Sequence, residues 1–312
     1  MHQSTQFRGA GESIYTVSMT SLAKIQFPPK ALIAYYQNLL KGKFKLTYTE
    51  SLYKKSFAPK MLVNLFSPEQ LKIVTARGAP LIGQSYYATE AVIRKEEARW
   101  GKKFTNFIDL VPGLITRGVE ITKSPRVTYV ELDFKEMSSI KKKLVSTVVG
   151  KRPNLKFVAG DLRSTPDLVK ASRLLPLGPV VIITEGVMSY LSLSDKAKVA
   201  TAVRTVLKER DGIWITTNVE AAAHYYTPAK LEKAIAKYRA AVINLNSFKQ
   251  RAFDSRHHIK TFFEKLGFSL RTYRQFNLVP FSTLKKSYPL PISDTTRRLL
   301  KSKKTLVLSL RK

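Results

Sequence analysis

Four apolar segments of the chain end in a glycine or an acidic residue. The first segment is followed by Gly113, the second contains Glu131 and Asp133, the third is followed by Asp161, and the fourth ends at Glu185. If the segments are parallel strands, their carboxyl ends meet at one edge of a sheet. Carboxylates there can accept hydrogen bonds from a ribose diol or an exocyclic amine, and glycine lets the backbone approach a ligand closely. Each acid taken alone could equally cap the next helix, but four coincident strand ends predict a site for a nucleotide-like ligand.

The strands that would position these residues are read from apolar runs bounded by glycine or proline. Five are predicted: Phe104–Val111, Val127–Phe134, Leu155–Ala159, Val180–Glu185 and Ile213–Val219. Helical patterns separate them at Lys135–Val149, Asp167–Leu174 and Asp195–Glu209. Alternation of this kind is typical of βαβ units around a buried, mostly parallel sheet.

Two more strand-like runs follow near the end of the chain, at Phe268–Phe276 and Thr305–Leu310, with a proline-containing loop between them. We expect them to pair as a hairpin at one edge of the sheet. The predicted fold is therefore α/β and Rossmann-like. It has a seven-strand, mostly parallel sheet with one reversed strand and helices on both faces.

The domain organisation is predicted as one integrated unit. Residues 1–100 read as an N-terminal arm and helical cap, with short helices that include Pro68–Ala76 and Tyr86–Arg99. Residues 101–312 read as the sheet domain, with a helical insertion at about 224–254 after the fifth strand.

The composition restricts the class of protein and of site. There are 54 Lys and Arg against 22 Asp and Glu, a formal net charge of +32, and no cysteine. The positive charge favours anionic partners, including nucleic acid. The absence of cysteine excludes disulfides and thiolate metal sites, and the histidine spacing does not suggest zinc. The sequence has neither a run long enough to span a bilayer nor a secretory signal, so we expect a soluble, cytoplasmic protein.

Several segments together resemble a known family. They are SMTSLA, FIDLVPGLITRGVE, VTYVELDFKEM, LKFVAGDLR and VVIITEGVMSYLS. They are similar to the leucine carboxyl methyltransferase-like family, which includes protein C-terminal leucine carboxyl methyltransferases and bacterial polyketide O-methyltransferases. The resemblance runs from about Ser18 to the C-terminal strand. It implies a class I methyltransferase fold with S-adenosyl-L-methionine as cofactor.

The resemblance also implies roles for individual residues in cofactor binding. Gly113 would lie under the methionine part of the cofactor. Asp133, with Glu131 nearby, would hold the ribose. Asp161 and the backbone of Leu162 would contact the adenine.

Two further residues would face the reaction. Glu185 would sit beside the methionine amino group or the reaction centre, and Tyr190 would line the substrate pocket. A buried core position is an equally good interpretation of Tyr190.

The chain departs from the family pattern in two places. Where the family has G-x-G, this chain has Val111-Pro112-Gly113, so valine adds a side chain and proline removes an N–H donor. Where several relatives carry an arginine before the first strand, the counterpart here is Thr89. Arg94 or Arg117 could replace that arginine.

The implied activity is methyl transfer to a carboxyl or hydroxyl group of a small molecule or protein terminus, with an anionic acceptor favoured by the charge. A carboxylate acceptor needs no general base, whereas a hydroxyl acceptor needs one, for which His224 or Tyr225 is the candidate. Two alternatives remain open. One is a catalytically silent protein that binds nucleic acid or acidic partners, and the other is an RNA methyltransferase.

Overall fold

The computed structural model of the protein describes residues 68–217, 219, 252–287 and 292–311. Within them, seven strands form one sheet in the order β3-β2-β1-β4-β5-β7-β6. The strands are β1 Asn106–Leu110, β2 Thr128–Asp133, β3 Leu155–Ala159, β4 Val180–Thr184, β5 Gly212–Thr217, β6 Phe268–Arg274 and β7 Lys304–Leu310. Strands β1 to β5 pair in parallel, and β7 pairs antiparallel with both β5 and β6.

The helices are numbered from the first described residue. They are α1 Pro68–Trp100, α2 Arg117–Ile121, α3 Lys135–Val149, α4 Thr165–Ser172, α5 Leu193–Arg210, α6 Arg256–Lys265, α7 Gln275–Leu278, α8 Phe281–Ser287 and α9 Asp294–Ser302. A single 3-10 turn, Met188–Tyr190, lies between β4 and α5. Among the described residues, no helix is long and apolar enough to cross a membrane.

Two apolar layers cover the sheet because its strands are buried and alternate in side-chain direction. One layer joins Ile108, Val130 and Ile182 to residues of α4, α5 and α6. The other joins Phe107 and Val181 to residues of α1, α2 and α3. This second face also carries the polar side chains that build the candidate site.

The predicted fold is confirmed, including the seven strands and the single reversed strand, which is β7. The boundaries of β3 are those predicted, and the other strands begin and end within two residues of the prediction. The connection between β6 and β7 differs. The sequence predicts a loop there, whereas the structure has α7, α8 and α9, which pack against α1.

The N-terminal region differs in a second way. The helices predicted at Pro68–Ala76 and Tyr86–Arg99 form one helix, α1, with Pro80 inside it. Its middle part contributes Ala79 and Ala88 to an apolar cluster with α7, α8 and α9. Tertiary packing therefore overrides the local helix-breaking preference of proline. The predicted arm and most of the predicted insertion lie outside the described residues, so the domain boundaries remain predictions.

The last turns of α1 are fixed to the edge strand β6 by a buried carboxylate. Glu96 is fully buried and accepts hydrogen bonds from Arg271 Nε at 3.1 Å, Arg271 Nη2 at 2.7 Å and Tyr273 Oη at 2.8 Å. These bonds join two elements that are far apart in the chain. They hold the helix against the sheet face on which the candidate site lies.

Candidate functional site

The carboxyl ends of β1 to β5 lie at one edge of the sheet, because these strands are parallel and in register. Leu110 pairs with Leu132, Asp133 pairs with Ala159, and Asp109 pairs with Ile183. The residues predicted to bind a ligand lie at these positions or within a few residues of them, so the fold brings them to the same edge.

The turn after β1 has an unusual backbone conformation. Val111 has φ of 56° and Gly113 has φ of 55°, both in the left-handed region. Glycine adopts this conformation without a steric penalty, whereas a β-branched residue there is strained. The backbone N–H of Gly113 donates to Asp133 Oδ2 at 2.9 Å, which joins the turn after β1 to the end of β2.

Asp133 retains capacity for a ligand. Its other oxygen, Oδ1, accepts from the N–H of Phe134 at 2.8 Å. A carboxylate has about four lone-pair sites, so each oxygen keeps one after these two bonds. Burial raises the pKa of Asp133 to about 6, although the bonds from Gly113 and Phe134 oppose this shift. Near neutral pH it is an ionised, partly satisfied acceptor.

Glu131 lies deeper than Asp133 and has a different partner. Its Oε2 is 2.6 Å from Lys141 Nζ on α3, and both side chains are 2% exposed. A side chain at position 118 would place its Cβ 2.7 Å from Glu131 Oε1, so Gly118 is the residue that lets α2 pass close to β2. Burial raises the pKa of Glu131 to about 7 despite the opposing effect of Lys141. The structure thus places Glu131 in a buried ion pair beneath the edge.

Glu185, at the end of β4, is paired with an arginine from α2. Arg117 is fully buried, and its Nη2 lies 2.6 Å from Glu185 Oε2. Its Nη1 lies 3.8 Å from Asp109 Oδ2, and its guanidinium stacks on the ring of Tyr86 at 4.5 Å. Asp109 also accepts from Tyr129 Oη at 2.7 Å. One cation therefore faces two carboxylates at the ends of neighbouring strands.

Asp161, after β3, is held by its neighbours along the chain. Both of its oxygens accept from Arg163, the shortest contact being Nη2 to Oδ2 at 2.6 Å. Its own backbone N–H donates to Asp167 Oδ2 at 3.0 Å. The Asp161 side chain is 32% exposed, whereas Leu162 is buried in the apolar layer beside α4 and α5. Asp161 and the backbone of Leu162 remain predicted adenine contacts.

Tyr190 is half-buried in the 3-10 turn after β4. This turn lies between Glu185 and the start of α5, so Tyr190 is near the same edge. Its role in lining a substrate pocket remains a prediction. The alternative base candidates, His224 and Tyr225, lie outside the described residues.

The structure shows which of Thr89, Arg94 and Arg117 lies at the carboxyl edge, where the family's arginine would be replaced. Thr89 is fully buried in α1, and its hydroxyl donates to Ser85 O at 2.9 Å, as a residue inside a helix often does. Arg94 is exposed on the same helix. Arg117 is the one of the three that lies beside Glu185, at the carboxyl edge.

Sequence reasoning missed Asp109, Tyr129 and Lys141 as parts of this region. The sequence signal that could have revealed them is the position of polar residues among the apolar ones of β1 and β2. Asp109 interrupts an otherwise apolar strand, and Tyr129, Glu131 and Asp133 alternate with apolar residues. Polar residues at every second position of a buried strand lie on one face, which predicts a buried polar layer on that face.

We expect Val111→Gly to change the free energy of unfolding by less than about 1 kcal/mol. Relief of the left-handed strain, about 1–2 kcal/mol, offsets the lost half-buried side chain and the entropy of glycine. Urea denaturation provides the measurement. The matched control is Val187→Gly, which removes the same side chain from the same apolar layer at φ of −90°. Without strain relief, the control should lose about 2 kcal/mol. Equal losses in the two variants would show that the turn is not strained.

Comparison with known proteins supports the predicted resemblance. Residues 70–204 match the model of the family described as leucine carboxyl methyltransferase. This match confirms the family resemblance predicted from the sequence motifs. No curated protein matches the sequence significantly.

Similar solved structures come from several bacteria. A putative methyltransferase from Thermobifida fusca YX is 17% identical with a TM-score of 0.50, over 95% of this chain and 100% of that one. A protein of the DUF574 family from Streptomyces avermitilis MA-4680 is 15% identical with a TM-score of 0.52, over 78% and 90%. A putative O-methyltransferase from Nostoc punctiforme PCC 73102 is 11% identical with a TM-score of 0.44, over 76% of this chain and 59% of that chain's length. At these identities the first two establish the class I methyltransferase fold.

Proposed function

We propose that the protein is an S-adenosylmethionine-dependent O-methyltransferase that methylates a carboxyl or hydroxyl group of a small molecule or a protein terminus. The family match over residues 70–204 and the fold support an enzyme of this class. The observation that carries the proposal is the contact between Gly113 and Asp133. It brings Gly113, at which the backbone can approach a ligand closely, beside the Asp133 carboxylate. That carboxylate could still accept hydrogen bonds from a ribose diol.

The residues at the edge fit the cofactor by their chemistry. Asp133 offers one lone pair on each oxygen for the two ribose hydroxyls. Glu185 supplies a negative charge for an ammonium group, and Arg117 beside it supplies a positive charge. The Nε and Nη1 atoms of Arg117 are buried without a hydrogen-bond partner among the described residues, which leaves donors for an anionic group.

The contribution of this chain to the reaction is positioning. S-adenosylmethionine, when bound, supplies an electrophilic methyl group on a sulfonium. Methyl transfer is an in-line displacement, so the protein must hold donor and acceptor at the correct distance and exclude water. Asp133 would fix the ribose and Glu185 the methionine end. A carboxylate acceptor would attack in its ionised form, so no proton needs to be removed.

We expect Asp161→Ala to weaken binding of S-adenosylhomocysteine about tenfold to hundredfold. Removing a charge-assisted hydrogen bond to a ligand costs about 1.5–3 kcal/mol. Isothermal titration calorimetry gives the dissociation constants. Asp195→Ala is the control, because Asp195 is the second carboxylate near Arg163, at 3.5 Å, and is 23% exposed. The control should bind as the wild type does. Unchanged affinity in Asp161→Ala would remove this residue from the site.

A second candidate function is a silent protein of the same fold that binds polyanions. The observations that favour it are the net charge of +32 and the side chain of Val111 at the turn after β1. If the protein is such a polyanion binder, it should have no affinity for S-adenosylmethionine. Its affinity for nucleic acid should then depend steeply on the salt concentration. If the protein is a methyltransferase, its affinity for the cofactor should change little with the salt concentration. An RNA methyltransferase would show both properties.

A further inference from the structure

Four buried polar side chains lie between α1 and the strands beyond β4, and each has an atom without a hydrogen-bond partner among the described residues. These atoms are the amide oxygens of Gln84 and Gln275 and the hydroxyls of Ser85 and Thr217. Each of the four residues is at most 4% exposed. Buried polar atoms nearly always have a partner, because leaving one unpaired costs free energy. We call these four residues the polar quartet.

A chain of contacts joins three members of the polar quartet. Gln275 Nε2 donates to Thr305 Oγ1 at 3.3 Å, and Thr305 is the direct partner of Thr217 in the β5–β7 pair. Gln84 Nε2 donates to Val279 O at 3.4 Å, and the N–H of Val279 donates to Gln275 O at 2.8 Å. The residues of α1, α7 and β5 that belong to the quartet are therefore close neighbours.

Ser85 faces the same layer from α1. It lies two helical turns before Val92, on the same side of the helix, and Val92 packs on the sheet together with Ile215. The end of α1 leads into the start of β1, so Ser85 lies nearer the carboxyl edge than Val92 does. Thr217 points to the same side of β5 as Ile215, because side chains alternate along a strand. Ser85 and Thr217 thus face each other's layer at this edge.

The polar quartet adjoins the candidate site. Thr184 pairs with Thr216 in the parallel β4–β5 pair, so the next residues, Glu185 and Thr217, lie side by side at the carboxyl edge. Glu185 is partly exposed, so the layer meets solvent beside it. A ligand that reaches Glu185 is therefore next to the unpaired hydroxyl of Thr217.

The unpaired atoms of the quartet call for hydrogen-bond donors. Both amide nitrogens donate to backbone carbonyls, those of Val279 and Lys304, which fixes the amide oxygens of Gln84 and Gln275 as the unpaired atoms. An amide oxygen only accepts, whereas a hydroxyl both donates and accepts. The quartet contains no charged residue. A carboxylate there would bring no donor and would lie against two carbonyl oxygens, but a ligand hydroxyl would satisfy them.

We propose that the polar quartet binds an uncharged, hydroxyl-bearing part of the methyl acceptor, which enters beside Glu185. This inference deepens the proposed function by naming the chemistry of the acceptor. It rests on the proposed function for the statement that the reaction occurs at this edge. The quartet recognises the acceptor and takes no part in the chemical step.

The first test compares two probes of similar size. Catechol carries two adjacent hydroxyl donors on a flat apolar ring, and benzoate carries a carboxylate on the same ring. Saturation-transfer difference NMR measures their dissociation constants for the wild type. We expect catechol to bind at least about tenfold more tightly than benzoate, because only catechol supplies donors to the unpaired oxygens. Equal affinities, or no binding of catechol, would overturn the proposal.

Thr217→Val places the catechol site within the quartet. The substitution keeps the shape of the side chain and removes the unpaired hydroxyl. Catechol should bind about five- to tenfold more weakly, while the urea midpoint should not fall, because no hydrogen bond within the free protein is lost. A clearly lower urea midpoint would contradict the proposal, since the hydroxyl would then already be paired in the free protein.

The matched control is Thr216→Val. Thr216 is the adjacent residue of β5, is fully buried, and also has an unpaired hydroxyl. Its side chain points to the opposite face of the sheet, the face of Trp214. The control should keep both the urea midpoint and the catechol affinity of the wild type. If Thr216→Val and Thr217→Val bound catechol equally, the quartet would not be its site.

Titration with S-adenosylhomocysteine separates the two possible failures. Its affinity should be the same for the wild type, Thr216→Val and Thr217→Val, because the quartet lies beside the proposed cofactor residues. A wild type that binds S-adenosylhomocysteine but not catechol would overturn the role of the quartet and leave the proposed function in place. A wild type that binds catechol through Thr217 but not S-adenosylhomocysteine would contradict the proposed function and leave the quartet as a binding site.

Discussion

Arg117→Gln is expected to lower the free energy of unfolding by about 3–5 kcal/mol, as measured by urea denaturation. The substitution leaves the carboxylates of Glu185 and Asp109 without the cation that faces both of them, and Asp109 is fully buried. Breaking a buried ion pair by removing one partner costs about this much, because the remaining charge is not compensated.

The stability that Arg117→Gln loses should depend on pH in a definite direction. Burial already raises the pKa of Asp109, and Arg117 is the largest effect that opposes this. Without Arg117, the folded protein would bind a proton on Asp109 more tightly than the unfolded chain does. The stability of the variant should therefore be greatest at low pH and fall as the pH rises.

The matched control for Arg117→Gln is Lys103→Gln. Lys103 is 79% exposed and pairs with Glu97 at 2.8 Å. An exposed pair contributes about 1 kcal/mol or less, so this variant should be nearly as stable as the wild type. If Arg117→Gln behaved like the control, the guanidinium would not compensate the two carboxylates.

Lys141→Met should also destabilise the protein by about 3–5 kcal/mol, since it leaves Glu131 buried without its partner at 2.6 Å. The pKa of Glu131 is raised to about 7 in the folded protein. We therefore expect the loss to be largest above pH about 7, where an ionised Glu131 would have to stay buried.

The double variant Glu131→Gln with Lys141→Met is the test of that explanation. Removing both charges together avoids an uncompensated ion, and such replacements are often neutral. The double variant should recover most of the stability that Lys141→Met loses. A double variant as unstable as the single one would show that the Lys141 side chain stabilises the protein by packing rather than by charge.

The sequence was sufficient to predict the architecture because buried parallel strands leave a strong signal. Apolar runs with β-branched residues, such as VVIIT at Val180–Thr184, are bounded by glycine or proline and separated by helical patterns. Such signals are local, and the βαβ rule then determines how the strands pair. This is why the strand ends were predicted to share one edge.

The partners of the acidic residues could not be predicted, because they depend on the rotation and tilt of helices that follow the strands. Glu131 and Asp133 are two residues apart and look equivalent in the sequence. The structure pairs Glu131 with Lys141 from α3, and it leaves Asp133 at the turn after β1. These contacts depend on where α3 packs, which the local sequence does not encode, and the predicted roles of both acids in cofactor binding remain predictions.

In the long helix α1, by contrast, the local sequence signal predicts the wrong structure. Pro80 and the glycines near it predict a break between two helices. Contacts with α7, α8 and α9 hold the segment in one helix. These contacts come from residues about 200 positions later in the chain, so a local reading could not have included them.

We propose that the carboxyl edge binds S-adenosylmethionine with Asp133 on the ribose. Calorimetric titration of the nucleic-acid-free protein with S-adenosylhomocysteine, for the wild type and Asp133→Asn, tests it most directly. The pKa of Asp133 is raised to about 6 by burial, and the ionised form is the better acceptor. We predict micromolar binding by the wild type that strengthens as the pH rises through about 6. In Asp133→Asn, the binding should be much weaker and its dependence on pH across this range should be lost. No detectable heat for the wild type at any pH, or equal affinity in the variant, would contradict this assignment of the cofactor site.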